Sequence, residues 1–364
     1  MKIQISKQNV CGRHKTRQRC LFAPIGVVIG AAIGAAFFML GGCQSQKQTT
    51  ADTQQESAIV DYTCIANPDS ESKIYVILKN YHGAYWESVI EGVTEAAEKI
   101  DSAVYLGGID NETSISEQIS LVDQAIEEGA DGILLAPASS DELVPSCKKA
   151  RENEIPVVLI DSSINSGDFD ACFMTDNMGA GETAAKEMLQ MLKEAGNPVS
   201  EPLEVGIVLS SDTSQAMVNR VSGFLDYWAN YAPIQWEIAQ DIYVNGGNVT
   251  KAQSDVSTLL SDHKNLKGIF GCNNTSTIGI ANTLIKEKRS DVVMVGFDMA
   301  EETKQIIEDS NYRAVTLLQK QDEMGYQGIL SLDSLIKGEV AKQKYFDTGI
   351  VLIDSHYLTQ EGAS

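Results

Sequence analysis

The sequence predicts an α/β protein of two Rossmann-like lobes, each built on a parallel sheet covered by helices. Three observations carry this. From Lys73 onward, short and near-continuous apolar runs alternate with helix-patterned stretches, as expected for strands buried on both faces. The series restarts after Asn177. About 290 residues share the pattern, more than one hydrophobic core usually holds.

The first element is a leader. Residues 1–20 carry Lys2, Lys7, Arg13, Lys15, Arg17 and Arg19 with no Asp or Glu, and Leu21–Leu40 carries no charge. Basic residues before an apolar run keep that end in the cytoplasm and send the downstream chain across the membrane. The run is long enough to span a bilayer. It closes, however, on Leu40-Gly41-Gly42-Cys43, which resembles the lipobox of bacterial lipoproteins. Residues 1–42 are therefore read as a lipoprotein signal peptide and Cys43 as the acylated new N-terminus, with an uncleaved helix as the other reading. Both readings place the main domain outside the cytoplasm. The first puts it on the outer face of the cell membrane, anchored by lipid, as in a Gram-positive-type cell. Cleavage removes six basic side chains and no acidic one, taking the net charge from −22 to −28. So acidic a chain repels phosphate backbones, which argues against a nucleic-acid partner.

Residues 43–72 are rich in Gln, Ser, Thr and Asp without an apolar period, and read as a flexible tether. The first strand series is "IYVILK" (74–79), "AVYLGG" (103–108), "GILLAPA" (132–138) and "PVVLID" (156–161), with helical stretches from Trp86 to Ile100, from Ser114 to Gly129 and through Arg151. After "CFMTDN" (172–177) and a helix from about Gly179 comes the second series. It comprises "VGIVLSS" (205–211), "DIYV" (241–244), "GIFGCNN" (268–274), "VVMVGFD" (292–298) and "AVTLLQ" (314–319). The cleft between two such lobes is the natural ligand site. Cys64, Cys147, Cys172 and Cys272 are widely spaced without a CxxC, and the four histidines are scattered. Buried free thiols are expected, with a disulfide in an oxidising compartment as the other reading; no metal site and no cofactor are expected.

Polar residues gather just past the carboxyl ends of these strands: Lys79 and Asn80, Asp161, Asn273 and Asn274, Asp298 and Gln319. Ligands bind at that edge of open parallel sheets. Asp and Asn there also cap the next helix, and both readings stand. Tyr85 and Trp86 open the first long helix. Aromatic faces bind the apolar face of a sugar ring, while carboxylates and amides receive its hydroxyls. The set suits a neutral, many-hydroxyl ligand.

Across residues 73–355 the chain resembles the ribose/galactose-type periplasmic binding proteins. The resemblance rests on "GAYWESVIEGVTEAAEKI", "EEGADGILLAPASSDEL", "IPVVLIDSSI", "TDNMGAGETAAKEML", "NRVSGF", "GIFGCNN" and "DVVMVGFD". It implies the type I periplasmic-binding-protein fold, two lobes joined by a three-segment hinge with crossings near Thr175, Gln319 and Gln343. Residues 73–175 plus about 320–342 form the first lobe, and 176–319 plus about 343–358 the second. It also implies a sugar stacked on Tyr85 and Trp86 and held by Asp161, Asn273, Asp298 and Gln319. The chain departs from ribose binders where an Arg is expected: Ser162 comes directly after Asp161, and Val218 precedes Arg220 by two. Lys79, His82, Ser162 and Arg220 are further candidates, Arg220 chiefly as a structural or hinge residue. Plain ribopyranose is thereby disfavoured.

An enzyme is disfavoured too. "GAGETA" (179–184) fits a loose dinucleotide-binding turn, but no G-x-S-x-G, P-loop or H-E-x-x-H occurs. The expected role is a monomeric, lipid-anchored binding protein that delivers a sugar-like ligand to the permease and ATPase of an ABC importer. The alternative is a receptor feeding a sensor kinase or chemoreceptor.

Overall fold

The computed structural model describes residues 2–4 and 62–361. The leader candidate Leu21–Leu40, the lipidation candidate Cys43 and most of the expected tether lie outside them. In chain order the elements are β1 (Lys2–Gln4), β2 (Thr63–Ala66), β3 (Lys73–Leu78), α1 (Ala84–Ala97), β4 (Ala103–Gly108), α2 (Ile115–Glu127), β5 (Gly132–Leu135), α3 (Val144–Glu152), β6 (Val157–Ile160) and β7 (Ala171–Met174). Next come α4 (Asn177–Glu194), β8 (Leu203–Leu209), α5 (Gln215–Tyr231), β9 (Trp236–Val244), α6 (Val249–Asp262), β10 (Leu266–Gly271), α7 (Asn274–Glu287), β11 (Val293–Phe297), α8 (Glu301–Glu308) and β12 (Ala314–Gln319). The last elements are α9 (Gln321–Ile336), β13 (Tyr345–Asp347), β14 (Ile350–Ile353) and α10 (Ser355–Glu361).

These form two sheets, ordered β13-β7-β6-β5-β3-β4-β2 and β1-β9-β8-β10-β11-β12-β14. Within each, the five central strands are parallel and the first strand lies between the second and third. Each sheet is sandwiched between apolar layers. In the first lobe α1 and α9 cover one face and α2 and α3 the other. In the second, α4 and α5 lie opposite α6, α7 and α8. The predicted two-lobe α/β class is therefore what forms, and every strand expected from the apolar runs is present.

Two expectations need correction. The tether does not reach residue 72, because Thr63–Ala66 adds an antiparallel edge strand to β4. Its preceding residue, Tyr62, packs edge-on against Tyr75 at 4.8 Å and donates a hydrogen bond to the Leu121 carbonyl at 2.8 Å. Asn67, with a left-handed φ of 50°, donates to the carbonyls of Ala97, Ile100 and Ser102 and so satisfies the end of α1. The third crossing is also misplaced. Tyr345–Asp347 pairs in parallel with β7, so the chain changes sheets at Thr348–Gly349, not near Gln343. Gly349 makes the turn with a φ of 80°. Cys147, Cys172 and Cys272 are buried free thiols as expected, whereas Cys64 is free but exposed on the β2 edge.

The helices that carry the chain across, α4 and α9, each pack on the first helix of the lobe they enter. Glycines permit backbone contact there. A Cβ on Gly223 of α5 would lie 2.1 Å from the Met178 carbonyl oxygen, and one on Gly181 of α4 2.1 Å from that of Arg220. The "GAGETA" stretch thus lies within α4, with Gly181 packed against α5. Since backbone cannot yield as a side chain tip does, Gly223→Ala should destabilise by about 1–3 kcal/mol. Thermal unfolding should show this as a drop of several degrees, and an unchanged Tm would contradict the close packing.

Candidate functional site

Two aspartates occupy equivalent places in the two lobes. Asp161 stands just after β6 and Asp298 just after β11, and both adopt a left-handed φ, 64° and 65°. Each donates its peptide N–H to the neighbouring strand, Asp161 to the Phe173 carbonyl at 3.0 Å and Asp298 to that of Leu317 at 2.9 Å. For a non-glycine residue this conformation costs energy, although Asp tolerates it better than most. Both side chains line one cavity between the lobes, together with Lys79, Tyr85, Trp86, Arg220, Asn273 and Gln319.

On the first lobe, Lys79 at the end of β3 is 2% exposed and its Nζ lies 2.6 Å from Asp161 Oδ2. The Tyr85 hydroxyl donates to Asp161 Oδ1 at 2.6 Å. Burial alone would lower the Lys79 pKa, but the charges of Asp161 and Glu112 hold it above its ordinary value. Burial would raise Asp161, and the Lys79 charge with the two hydrogen bonds holds it below the usual carboxylate range. Both groups are therefore ionised at neutral pH. The Tyr85 and Trp86 rings meet edge to face at 4.9 Å.

On the second lobe the carboxamide of Gln319 gathers the polar groups. Its Nε2 donates to Asp298 Oδ1 and Oδ2 at 3.0 and 3.2 Å. Its Oε1 accepts from the Thr175 hydroxyl at 2.8 Å and from Arg220 Nη2. Arg220 is 1% exposed, with Nε on Asn177 Oδ1 at 2.7 Å, Nη1 on the Cys272 carbonyl at 2.8 Å, and its guanidinium 4.1 Å from the Phe297 ring centre. It lines the cavity, and each of its three nitrogens makes a hydrogen bond within the protein. Burial pushes Asp298 up to about 6, against the downward pull of Arg220 and Gln319.

Asn273 combines both sequence readings. Its Oδ1 accepts from the Ser276 N–H at 3.3 Å and caps α7, while the residue also lines the cavity. His82 and Ser162 stand apart. The His82 side chain is 73% exposed, 3.5 Å from Asp110, on the turn before α1. Ser162 is buried in the contact between lobes, its Oγ 3.1 Å from that of Ser214 and accepting from the Ala216 N–H at 3.3 Å. Nearby, Ser140 Oγ accepts from the Gln215 N–H at 2.8 Å, so the lobes are closed on each other. The cavity also holds Glu112, Ser210, Met217, Asn274 and Thr275. Of these the sequence had pointed only to Asn274. Ser210 directly follows β8 and obeys the same strand-end rule. Glu112 sits in the β4–α2 loop, where an acidic residue reads as a helix-start feature.

A family model described as periplasmic binding protein domain matches residues 74–340. The ribose import binding protein of Salmonella typhimurium is 21% identical over 283 residues, covering 78% of this chain and 91% of its own. An ABC transporter solute-binding protein from Agrobacterium vitis, solved with bound D-fucose, is 30% identical with a TM-score of 0.73, covering 80% of this chain and 98% of that one. A carbohydrate transporter solute-binding protein from Agrobacterium radiobacter, in complex with D-arabinose, is 26% identical with a TM-score of 0.75, covering 80% and 97%. These relatives are binding proteins of transporters, not enzymes.

The raised Asp298 has a consequence for stability. Its native pKa of about 6 lies above the unfolded value near 4, so the native state holds the proton more tightly. Its contribution is greatest below about pH 4 and is lost as pH rises to about 6. Asp161 is lowered and acts in the opposite direction, below that window. Denaturant unfolding of the ligand-free protein should therefore show the stability gap between Asp298→Asn and wild type widening, in favour of the variant, from pH 4 to 6. A pH-independent gap would contradict the assignment.

Proposed function

The chain belongs to the periplasmic binding protein family, and from that premise we propose that it captures a sugar or sugar-like polyol between its lobes for an ABC importer. One observation carries the reading. An aromatic pair, Tyr85 and Trp86, and the hydrogen-bonding groups of Asp161, Asn273, Asp298 and Gln319 meet in one buried inter-lobe cavity. A ring held there stacks its apolar face on the aromatics and gives its hydroxyls to carboxylates and amides from both lobes. The ligand then adds cross-lobe contacts that exist only in the closed form and stabilises that form by its differential affinity. An importer need only distinguish closed from open.

Lipid attachment at Cys43 is part of the same proposal. It is supported by the basic leader, the uncharged run and the Leu40–Cys43 sequence. The β2 strand brings the chain from Tyr62 onward into the described fold. Cleavage before Cys43 also removes β1, which pairs with Asp241–Tyr243, and leaves β9 as a sheet edge. Acylation on Cys43 with two or more chains holds a monomer firmly on the outer face of the membrane.

The test is a thermal-shift panel of residues 44–364 against pentoses, hexoses, polyols, nucleosides and amino acids. A ligand present at a thousand times its Kd stabilises by about 4 kcal/mol, a shift of roughly 8 °C or more for a protein of this class. One or more sugars should produce it, and Asp298→Ala or Trp86→Ala should abolish it. A shift only with amino acids or nucleosides would keep the fold and overturn the sugar reading. For the anchor, metabolic labelling with a palmitate analogue should mark the wild type and not Cys43→Ser.

A further inference from the structure

The charges around the cavity do not balance. Lys79 and Arg220 face Glu112, Asp161 and Asp298, a formal sum of −1. Asp161 has Lys79 at 2.6 Å, and Asp298 has Arg220 behind Gln319. Glu112, 6% exposed, has no cation within ion-pair distance among the described residues. Its field reaches Lys79, but that ammonium is in contact with Asp161. The hydrogen bond Glu112 receives comes from the opposite lobe, Ser210 Oγ to Oε2 at 2.8 Å. A second acceptor lines the same cavity from the second lobe: Asn274, 7% exposed, has a buried Oδ1 with no partner.

A buried carboxylate without a cation is costly, and so is a buried acceptor without a donor. A hydroxyl offers one donor and no charge, whereas an ammonium offers three donors and the missing positive charge. Meanwhile Arg220 gives three of its five N–H donors to protein partners, and Lys79 is in contact with Asp161. An anionic sugar would meet three carboxylates facing two cations.

We infer that the ligand is a sugar or polyol bearing a protonated amine, and that Glu112 selects it over its hydroxyl counterpart. This rests on the sugar-binding reading and narrows it.

The test is calorimetric titration of the chain from residue 44 with matched pairs at pH 6.5: pentoses and hexoses, each beside its amino-deoxy analogue. In at least one pair the amine should bind tenfold or more tightly than its twin. That ratio should fall towards one in Glu112→Gln, and in wild type at a pH where the amine is neutral. Asn274→Asp, which adds a carboxylate without changing size, should raise it. Circular dichroism of both variants separates a lost preference from a lost fold. Neutral sugars binding as tightly as their amines, or more so, would overturn the inference and leave sugar binding intact. No binding by either member of any pair would overturn sugar binding and the inference together.

Discussion

The structure depends on one carboxamide. Gln319 ends β12 at the second crossing, and its Oε1 receives Thr175 from the first crossing and Arg220 from α5. Its Nε2 meets both oxygens of Asp298. Every donor direction the amide has is fixed by these partners: with two donors on Oε1, only Nε2 can face the carboxylate. The group is 3% exposed, so a partner removed leaves an unsatisfied buried atom, at about 1–3 kcal/mol. Two strands of the hinge are thereby tied to two charged groups of the cavity through a single side chain.

The two lobes repeat one backbone device and differ in how they neutralise it. A left-handed aspartate at the end of the fourth strand turns a carboxylate to the cleft in each. In the first lobe Asp161 is met by a full cation and a phenol, and is held ionised. In the second, Asp298 is met by a neutral amide with the guanidinium one residue further back, and titrates near 6. The cleft thus has a firmly ionised side and a side whose charge is adjustable. Lys79 supplies the charge compensation at Asp161.

Much of this was legible in the sequence for a physical reason. Strands buried on both faces must be apolar throughout, so "IYVILK" or "VVMVGFD" marks itself, and the polar residue that ends such a run stands at the ligand edge. That logic found Lys79, Asp161, Asn273, Asp298 and Gln319. It was less informative where structure depends on distant partners. Thr63–Ala66 has one large apolar residue, Ile65, and becomes a strand because β4 offers an open edge and Tyr75 a ring for Tyr62. Tyr345–Asp347 is equally short and is placed by β7. Glu112 reaches the cavity from a loop, where no period reports direction. His82 failed for the opposite reason: proximity in sequence to Tyr85 does not carry it out of the solvent.

Thr175 offers the most direct test of the hinge-to-site linkage, since it does not line the cavity and its hydroxyl reaches the site only through Gln319. Thr175→Val keeps its shape and removes that hydroxyl. Calorimetric titration with the sugar giving the largest thermal shift should show the variant binding about threefold to tenfold more weakly than wild type, as expected for one lost buried hydrogen bond. Equal affinity in the two proteins would mean that the crossings and the cavity are independent, and would contradict the account at its centre.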